Sequence, residues 1–381
     1  MPPPFFVPTT DDHEALETLA AEVPRVQDTL VANHPQLTGA DRGAHQQQIA
    51  ASRVTLHVEN ALPPELLGLG LFVPGRAHTG LARLSTGLGC PHAETDADFL
   101  GLMAAFQLPS GQRTDFIAIN DPTSPTDTPE EFVALLKATA DAATGGGPFS
   151  SQARLLFGLA RHAGPRAPAI ALHVSGQTLR TVRSSSAYQT YWTGVVRAGD
   201  TLGKFVFVPL DPPAPAHDPR RGHHHLRDDW TMRQARGRLD FRVDWIRFSD
   251  EHRTSTTDLT RAWDESDRVA VARLEFPRTD PASREHALLA LLATEVGANP
   301  GHWIETTAAA PAALPATRFT AARQLAYARS QAHRHALPHD AWSSFFATGR
   351  IDDPLARELI RRHEARRAAG HWTPEVPGLH D

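Results

Sequence analysis

The feature that most constrains the fold is a series of short segments in which apolar and polar residues alternate, as they do in half-buried β-strands. The first runs from Val54 to Val58, with the polar residues Thr55 and His57 between apolar ones. Seven further segments have strand character: residues 80–85, 102–108, 115–119, 170–174, 204–210, 239–248 and 269–276. Eight strands with irregular connections predict an antiparallel barrel or sandwich rather than a parallel α/β sheet.

Helical patterns lie mainly at the two ends of the chain. Residues 10–33 have apolar positions near helical spacing after polar capping residues. Within the strand region, Thr128 to Glu131 has the sequence of a capping box and predicts another helix. From Arg318 to about residue 370 the sequence is helical and basic. We therefore predict an α+β protein in three parts: an N-terminal arm and helix (1–40), a β-barrel domain (41–317) and a C-terminal helical segment (318–381).

Composition excludes several classes of function. The chain has 381 residues, and its 41% hydrophobic content is enough to bury a large core. A formal charge of −5, with both signs mixed along the chain, argues against a nucleic-acid partner. No stretch predicts a transmembrane helix, and the first residues lack the pattern of a secretory signal, so we predict a cytoplasmic protein. The single cysteine, Cys90, excludes an internal disulfide framework and a thiolate zinc cluster.

The first candidate site residues are Arg42 and His45, which precede the first predicted strand. An imidazole above a metal centre can move a proton between the two oxygens of a peroxide, because its ordinary pKa lies near neutrality. The arginine could bind a carboxylate of a haem. With 21 histidines in the chain, a surface histidine in a polar loop explains this motif equally well when it is taken alone.

Three further polar residues lie at strand ends. Arg83 and Ser85 are two apart on a predicted strand and therefore point to the same face. Ser85 could hydrogen-bond His45 and fix its tautomer, while Arg83 could pair with a carboxylate. Asn120 ends another strand and could orient a bound peroxide. An ordinary strand end and an Asn-Asp-Pro turn are the alternative interpretations.

A tyrosine provides the candidate metal ligand. The chain has only three tyrosines, and Tyr327 lies four residues after Arg323 on a predicted helix, so the two share a face. A phenol is a poor ligand while it is protonated, but ferric iron and a neighbouring guanidinium both favour the anion. A tyrosine packed in the core beside an exposed arginine is the alternative interpretation.

In their order along the chain, these motifs resemble those of the catalase superfamily, particularly its smaller catalase-related haem proteins. In that family Arg-x-x-His precedes the barrel, Arg-Phe-Ser lies on a strand, a segment that ends in Asn follows, and Arg-x-x-x-Tyr lies on a late helix. The similar segments here are Arg42 to His45, Arg83 to Ser85, Asp115 to Asn120 and Arg323 to Tyr327. The flanking segments 62–72 and 258–263 are also similar to those of the family.

The resemblance implies a catalase-type antiparallel eight-stranded β-barrel with peripheral helices, and haem b between the barrel and the C-terminal helical segment. It implies that Tyr327 ligates the iron with support from Arg323, and that Arg42 and Arg83 hold the propionates. The implied catalytic residues are His45, which shuttles a proton, Asn120, which orients the substrate, and Ser85, which orients His45. A homo-oligomer is also implied.

The reductant decides between related activities. With a second hydrogen peroxide the protein would be a catalase, and with an organic electron donor it would be a peroxidase. Ala44, Leu84 and the segment Leu100 to Met103 depart from the family pattern. We expect these departures, together with the lack of the flavodoxin-like domain of large catalases, to count against high catalase turnover and against NADPH binding. The alternatives are an organic or fatty-acid hydroperoxide isomerase or dehydratase, similar to allene oxide synthases, and a non-catalytic haem-binding protein.

Overall fold

A computed structural model describes residues 5–34, 37, 41–96, 98–143, 148–178, 185–210, 224–302 and 315–379. It contains an antiparallel sheet that closes on itself. The strands are β1 (Gln48–Val58), β2 (Ala77–Thr86), β3 (Leu100–Gln107), β4 (Arg113–Ile119), β5 (Tyr191–Thr193), β6 (Val196–Ala198), β7 (Thr201–Pro209), β8 (Leu239–Arg247) and β9 (Val269–Phe276).

The strand order is β5-β4-β3-β2-β1-β9-β8-β7-β6. An additional pairing of Tyr191 and Trp192 in β5 with β7 joins the two ends of the sheet. This pairing leaves β6 outside as a hairpin partner of β7 and produces a closed barrel of eight strands. The predicted eight-stranded antiparallel barrel is therefore confirmed.

The two faces of the barrel wall pack against different parts of the protein. Along β2, Ala82 and Leu84 point into an aromatic-rich interior, whereas Leu81 packs outward against helices. In the interior, Phe116 lies edge-on to Phe205 with ring centroids 5.2 Å apart. Because side chains alternate along a strand, Arg83 and Ser85 share the outward face with Leu81. Polar residues at these positions therefore face the helical layer and not the filled interior.

Helices cover the outside of the barrel. They are α1 (Thr10–Asn33), α2 (Pro129–Ala142), α3 (Pro148–Ala163), α4 (Ala167–Thr178), α5 (His225–Arg236), α6 (Arg284–Glu295), α7 (Arg318–His333), α8 (Ser343–Thr348) and α9 (Asp353–Ala368). The mostly apolar α6 is buried between β1 and α9, and α7 packs against α1. In the part of the chain that is described, no helix is long and apolar enough to cross a membrane.

One predicted strand is wrong. Residues 170–174 belong to α4, where Ala167, Ile170 and Gln177 are buried at helical spacing. A short apolar run fits either period, and here packing against α3 and α2 selects the helix. The helix predicted at residues 10–33 is confirmed, and Thr9 caps it by accepting from the Asp12 N–H. The division at residues 40 and 317 stays a prediction.

Candidate functional site

The backbone of His45 lies in a left-handed conformation, with a φ of 56°. For a residue other than glycine this conformation costs on the order of 1 kcal/mol. The N–H of His45 donates to the Gly87 carbonyl at 2.8 Å. Arg83 donates through Nη2 to the carbonyls of His45 at 2.8 Å and of Gln46 at 2.9 Å. The outward face of β2 therefore holds the loop in the conformation that positions the imidazole.

The His45 ring is in contact with β2 and β3. Its Nδ1 lies 3.2 Å from the Ser85 Oγ, which is the contact expected from the sequence. Gly101 faces Ser85 across the β2–β3 ladder. A Cβ at position 101 would lie 2.7 Å from His45 Nδ1 and 3.1 Å from Ser85 Oγ, so the ring occupies space that only glycine leaves open. Sequence reasoning did not identify Gly101 as a site residue.

Burial governs the charge of His45. Burial, with a smaller contribution from the positive charges of Arg83 and Arg323, outweighs the opposing charge of Asp98 and lowers the pKa of the imidazole to about 4. The side chain nevertheless keeps some accessible surface. His45 is therefore a neutral base at pH 7 that is not fully enclosed.

Asn120 is tied to the start of β3. Its Oδ1 accepts from the Leu100 N–H at 2.7 Å, and its own N–H donates to the Leu100 carbonyl at 3.0 Å. Its Nδ2 lies 3.4 Å from Gln189 Oε1. These bonds fix Asn120 beside the residue that precedes Gly101. The structure thus places Asn120 in the same part of the barrel as the His45 ring.

Three arginines, Arg42, Arg83 and Arg334, crowd together near the end of α6. Burial lowers the pKa of Arg42 to about 10, while the negative charge of Glu295 opposes the shift. Burial also lowers the pKa values of Arg83 and Arg334 strongly, and each is lowered further by the charge of Arg42. Glu295 and Asp41 offset part of the charge of Arg42 and Arg334, and the remaining repulsion would favour a further anion.

Backbone carbonyls hold two of these arginines at the C-terminal end of α6. Arg42 Nη2 donates to the carbonyls of Thr294 at 2.9 Å and Val296 at 3.1 Å. Arg334 Nη2 donates to the Val296 carbonyl at 2.7 Å. The carbonyl end of a helix is partially negative and favours cations. Sequence reasoning missed Arg334, which lies at the C-terminal cap of α7, seven residues after Tyr327.

Tyr327 and Arg323 lie one turn apart on α7. Arg323 Nη2 is 3.5 Å from the Tyr327 hydroxyl, at the limit of a hydrogen bond. The other two tyrosines are engaged elsewhere. Tyr191 is buried in the barrel and donates to the Ser186 carbonyl at 2.8 Å, and Tyr188 accepts from Arg233. Tyr327 therefore has the clearest geometry for a ligand among the three.

The structure brings the segment that precedes β1 close to α7. The loop after α6 donates from Asn299 Nδ2 to the Gln324 carbonyl at 3.1 Å, and Gln331 donates to the Ala298 carbonyl at 2.7 Å. These bonds dock α7 onto the loop that follows α6. Tyr327 is thereby within electrostatic range of Arg42, and the charge of Arg323 acts on His45. The residues predicted to act together thus come within electrostatic range of one another.

A small cavity lies beside Arg323, between β4, the β5–β6 turn and α7. It has room for about one water molecule, at 20 Å³, and its lining includes Asp115, Thr193, Gly194 and Thr320. This space is far too small for a porphyrin. The fit to haem therefore rests on the donor set, which comprises a phenol beside a guanidinium, a neutral imidazole and three crowded arginines suited to carboxylates.

Comparisons with known proteins agree with this architecture. The sequence matches no family model and no curated protein. The structure is similar to a fungal catalase, with a TM-score of 0.62, 15% identity and coverage of 78% of this chain and 60% of the fungal one. It is also similar to a bacterial catalase, with a TM-score of 0.59, 18% identity and coverage of 87% and 62%.

Catalase A from Saccharomyces cerevisiae gives a comparable match, with a TM-score of 0.59, 14% identity and coverage of 79% of this chain and 62% of the yeast chain. This protein thus has a catalase-like fold. It spans about three fifths of the length of these catalases. Identities this low show the fold and leave the activity to be argued from the site.

Proposed function

We propose that this protein is a haem-dependent peroxide-processing enzyme, an oxidoreductase of the catalase or peroxidase type that uses haem b. The observation that carries the proposal is the neutral His45 held by Ser85 on a catalase-like barrel, within electrostatic range of the Arg323–Tyr327 pair. The three arginines support it, because two propionates would relieve the repulsion among them.

Each half of the site has a distinct task. Tyr327 would ligate the iron as a phenolate, and the Arg323 guanidinium beside it favours that anion. Arg42, Arg83 and Arg334 would pair with the propionates. When bound, haem would supply the redox chemistry of peroxide cleavage.

The remaining residues would transfer the proton and orient the substrate and the imidazole. His45 Nδ1 faces the Ser85 hydroxyl, so we assign proton transfer to Nε2. This nitrogen takes a proton from one peroxide oxygen and returns it to the departing oxygen. Asn120 would orient the peroxide through its amide, whose oxygen is engaged with the Leu100 N–H. Ser85 keeps the imidazole in one orientation.

The visible spectrum of the protein, expressed with haem supplied, tests cofactor binding. We expect a ferric Soret band and a phenolate-to-iron charge-transfer feature that Tyr327→Phe removes. Tyr188→Phe is the matched control, since Tyr188 is also partly exposed but contacts Arg233 instead. A protein without a Soret band, or a Tyr327→Phe spectrum identical to that of the wild type, would contradict the proposal.

Substrate assays then separate the candidate activities. Oxygen evolution from hydrogen peroxide indicates a catalase, and oxidation of an organic electron donor indicates a peroxidase. Consumption of a fatty-acid hydroperoxide without a donor would indicate the isomerase or dehydratase instead. A haem protein that turns over none of these substrates would be a non-catalytic binder. We also propose a homo-oligomer, which light scattering of the purified protein tests.

A further inference from the structure

A second histidine, His92, lies close to the loop that carries His45. His92 and Asp98 are almost inaccessible, with side-chain exposures of 9% and 5%, and His92 Nε2 lies 3.2 Å from Asp98 Oδ2. The other ring nitrogen, Nδ1, lies 3.0 Å from the Cys90 carbonyl oxygen. A carbonyl oxygen only accepts hydrogen bonds, and so does an ionised carboxylate. One ring nitrogen of His92 is therefore within hydrogen-bond distance of a carbonyl, and the other lies within ion-pair distance of a carboxylate without the alignment of a hydrogen bond.

This geometry selects one protonation state. A neutral imidazole has a single N–H and would direct a lone pair at one of the two acceptors. An imidazolium donates from Nδ1 to the Cys90 carbonyl and places its positive charge 3.2 Å from the Asp98 carboxylate. The carboxylate beside it also neutralises its charge, which a buried cation requires.

Asp98 connects this pair to the catalytic loop. Its Oδ2 accepts from the Gly87 N–H at 2.6 Å and the Leu88 N–H at 3.0 Å. The carbonyls of the same two residues accept from the N–H groups of His45 at 2.8 Å and Gln46 at 3.0 Å. The chain of contacts thus runs from the His92 ring through one carboxylate and one turn to the backbone of the candidate proton shuttle.

We propose that His92 is a positioning residue that stays doubly protonated at neutral pH and, through Asp98, holds the Gly87–Leu88 turn against the backbone of His45. Its effect on turnover rests on the proposed function, whereas its protonation state does not. Loss of the His92 proton weakens the contact with Asp98 and loosens the turn. The strained His45 backbone then loses part of its support, and the ring leaves its position beside Ser85.

The charges around His92 agree with this assignment. Burial by itself would lower the pKa of His92, but the contact with Asp98 and its charge, the Cys90 carbonyl and the charge of Asp96 raise the pKa to about 9. A further carboxylate, Glu94, reaches this region through Gln47, which donates to it at 3.2 Å. Gln47 also accepts from the backbone N–H of His92 at 2.9 Å. The groups that face His92 are thus mainly negative or accepting.

Nitrogen NMR of protein labelled in its histidines tests the protonation state without any cofactor. We expect one signal pair, absent from His92→Gln, with both ring nitrogens protonated at pH 7.5 and a transition near pH 9. A neutral imidazole at pH 7.5 overturns the proposal. If the variant does not fold, the wild-type spectrum still decides, because the proposal requires a buried histidine that titrates near pH 9 and fails without one.

Stability provides a second readout. A histidine whose folded pKa is about 9 stabilises the fold fully below pH 6.5, and this contribution disappears as the pH rises through 9. Between pH 7 and 10 the folding equilibrium of the wild type should fall on the order of 100-fold relative to that of His92→Gln. The comparison with the variant is needed because Lys204, with a pKa of about 8, titrates in the same window. Equal pH dependence in the two proteins contradicts the proposal.

Turnover tests the positioning role. The wild type should lose kcat above pH 9 with little change in KM, whereas His92→Gln should have a lower kcat and no such alkaline limb. The matched control is His78→Gln, which removes a ring on β2 whose Nε2 lies 2.9 Å from the Leu71 carbonyl. If His92→Gln keeps the wild-type profile, the positioning role is wrong even if His92 is protonated. A wild type without peroxide turnover refutes the proposed function instead, and the NMR and stability tests still stand.

Discussion

A single methyl group at position 101 should displace the ring of His45, the proposed proton shuttle. In Gly101→Ala the new Cβ would lie 2.7 Å from His45 Nδ1 and 2.8 Å from its Cε1. Carbon atoms pack at about 3.5 Å or more, so the ring must move by roughly 0.8 Å. The backbone of β3 is regular there, so alanine itself is tolerated and the strain falls on the His45–Ser85 contact.

The expected magnitudes follow from that displacement. Overpacking costs about 1–3 kcal/mol, and replacing glycine with alanine returns about 0.4–1 kcal/mol through the unfolded state. The free energy of unfolding should therefore fall by about 1–2 kcal/mol. A shift of nearly 1 Å in a reacting group lowers the rate on the order of 100-fold. Urea unfolding at pH 7 measures the first quantity, and peroxide turnover per bound haem measures the second.

Gly80→Ala is the matched control on the same pair of strands. Its Cβ would meet the Phe106 ring even more closely, inside the barrel and away from His45. It should lose at least as much stability while keeping its turnover per bound haem. If Gly101→Ala turns over peroxide like the wild type, or if both variants lose turnover in proportion to stability, the inferred role of the His45 ring is refuted.

Other perturbations test the charges in the structure. Because His45 must be neutral to accept a proton and its pKa is about 4, turnover should stay level down to pH 5 and halve near pH 4. A midpoint near 6.5 would show a solvated imidazole instead. Lys204→Met should raise the free energy of unfolding at pH 7 by on the order of 2 kcal/mol, since burial lowers the pKa of Lys204 to about 8 and its charge is costly below that pH. The gain should shrink as the pH rises from 8 to 10.5, and a gain independent of pH would contradict this reason. Arg334→Gln should weaken haem retention at least about tenfold in a transfer assay to an apo-globin, because it removes one charge-assisted partner of the propionates. Unchanged retention would exclude Arg334 from the haem site.

Much of the barrel is predictable from the sequence because apolar and polar residues alternate along the strands of its wall. Strands β2, β3, β4, β7, β8 and β9 lie where the apolar period of two placed them. The closure is not predictable, since it depends on the three-residue strand Tyr191–Thr193, which is too short to carry a pattern. The segment 170–174 was misassigned for a related reason, because a run of four apolar residues and one histidine is short enough to fit either a strand or a helix.

Some residues of the candidate site are likewise predictable from the sequence, and others are not. Arg83 and Ser85 share a strand, and Arg323 and Tyr327 share a helix, so local periodicity is enough to place each pair on one face. Gly101 belongs to the site only because the register pairs it with Ser85. Arg334 belongs to it only because α7 docks on the end of α6. Register and docking are tertiary properties, and a single sequence carries no local signal for them.

The long separation in sequence also determines when the site can form. His45 precedes the first strand and Tyr327 follows the last, so the barrel must close before the two act on one ligand. Contacts between distant segments form after the local ones, because the entropy of closing long loops must be overcome first. A cofactor that bridges the two halves would bind the native state and not the unfolded chain. It would therefore stabilise the closed barrel in proportion to its concentration, and the buried arginines would exchange mutual repulsion for pairing with its carboxylates. The crowding of Arg42, Arg83 and Arg334 is then a feature that the bound cofactor would relieve.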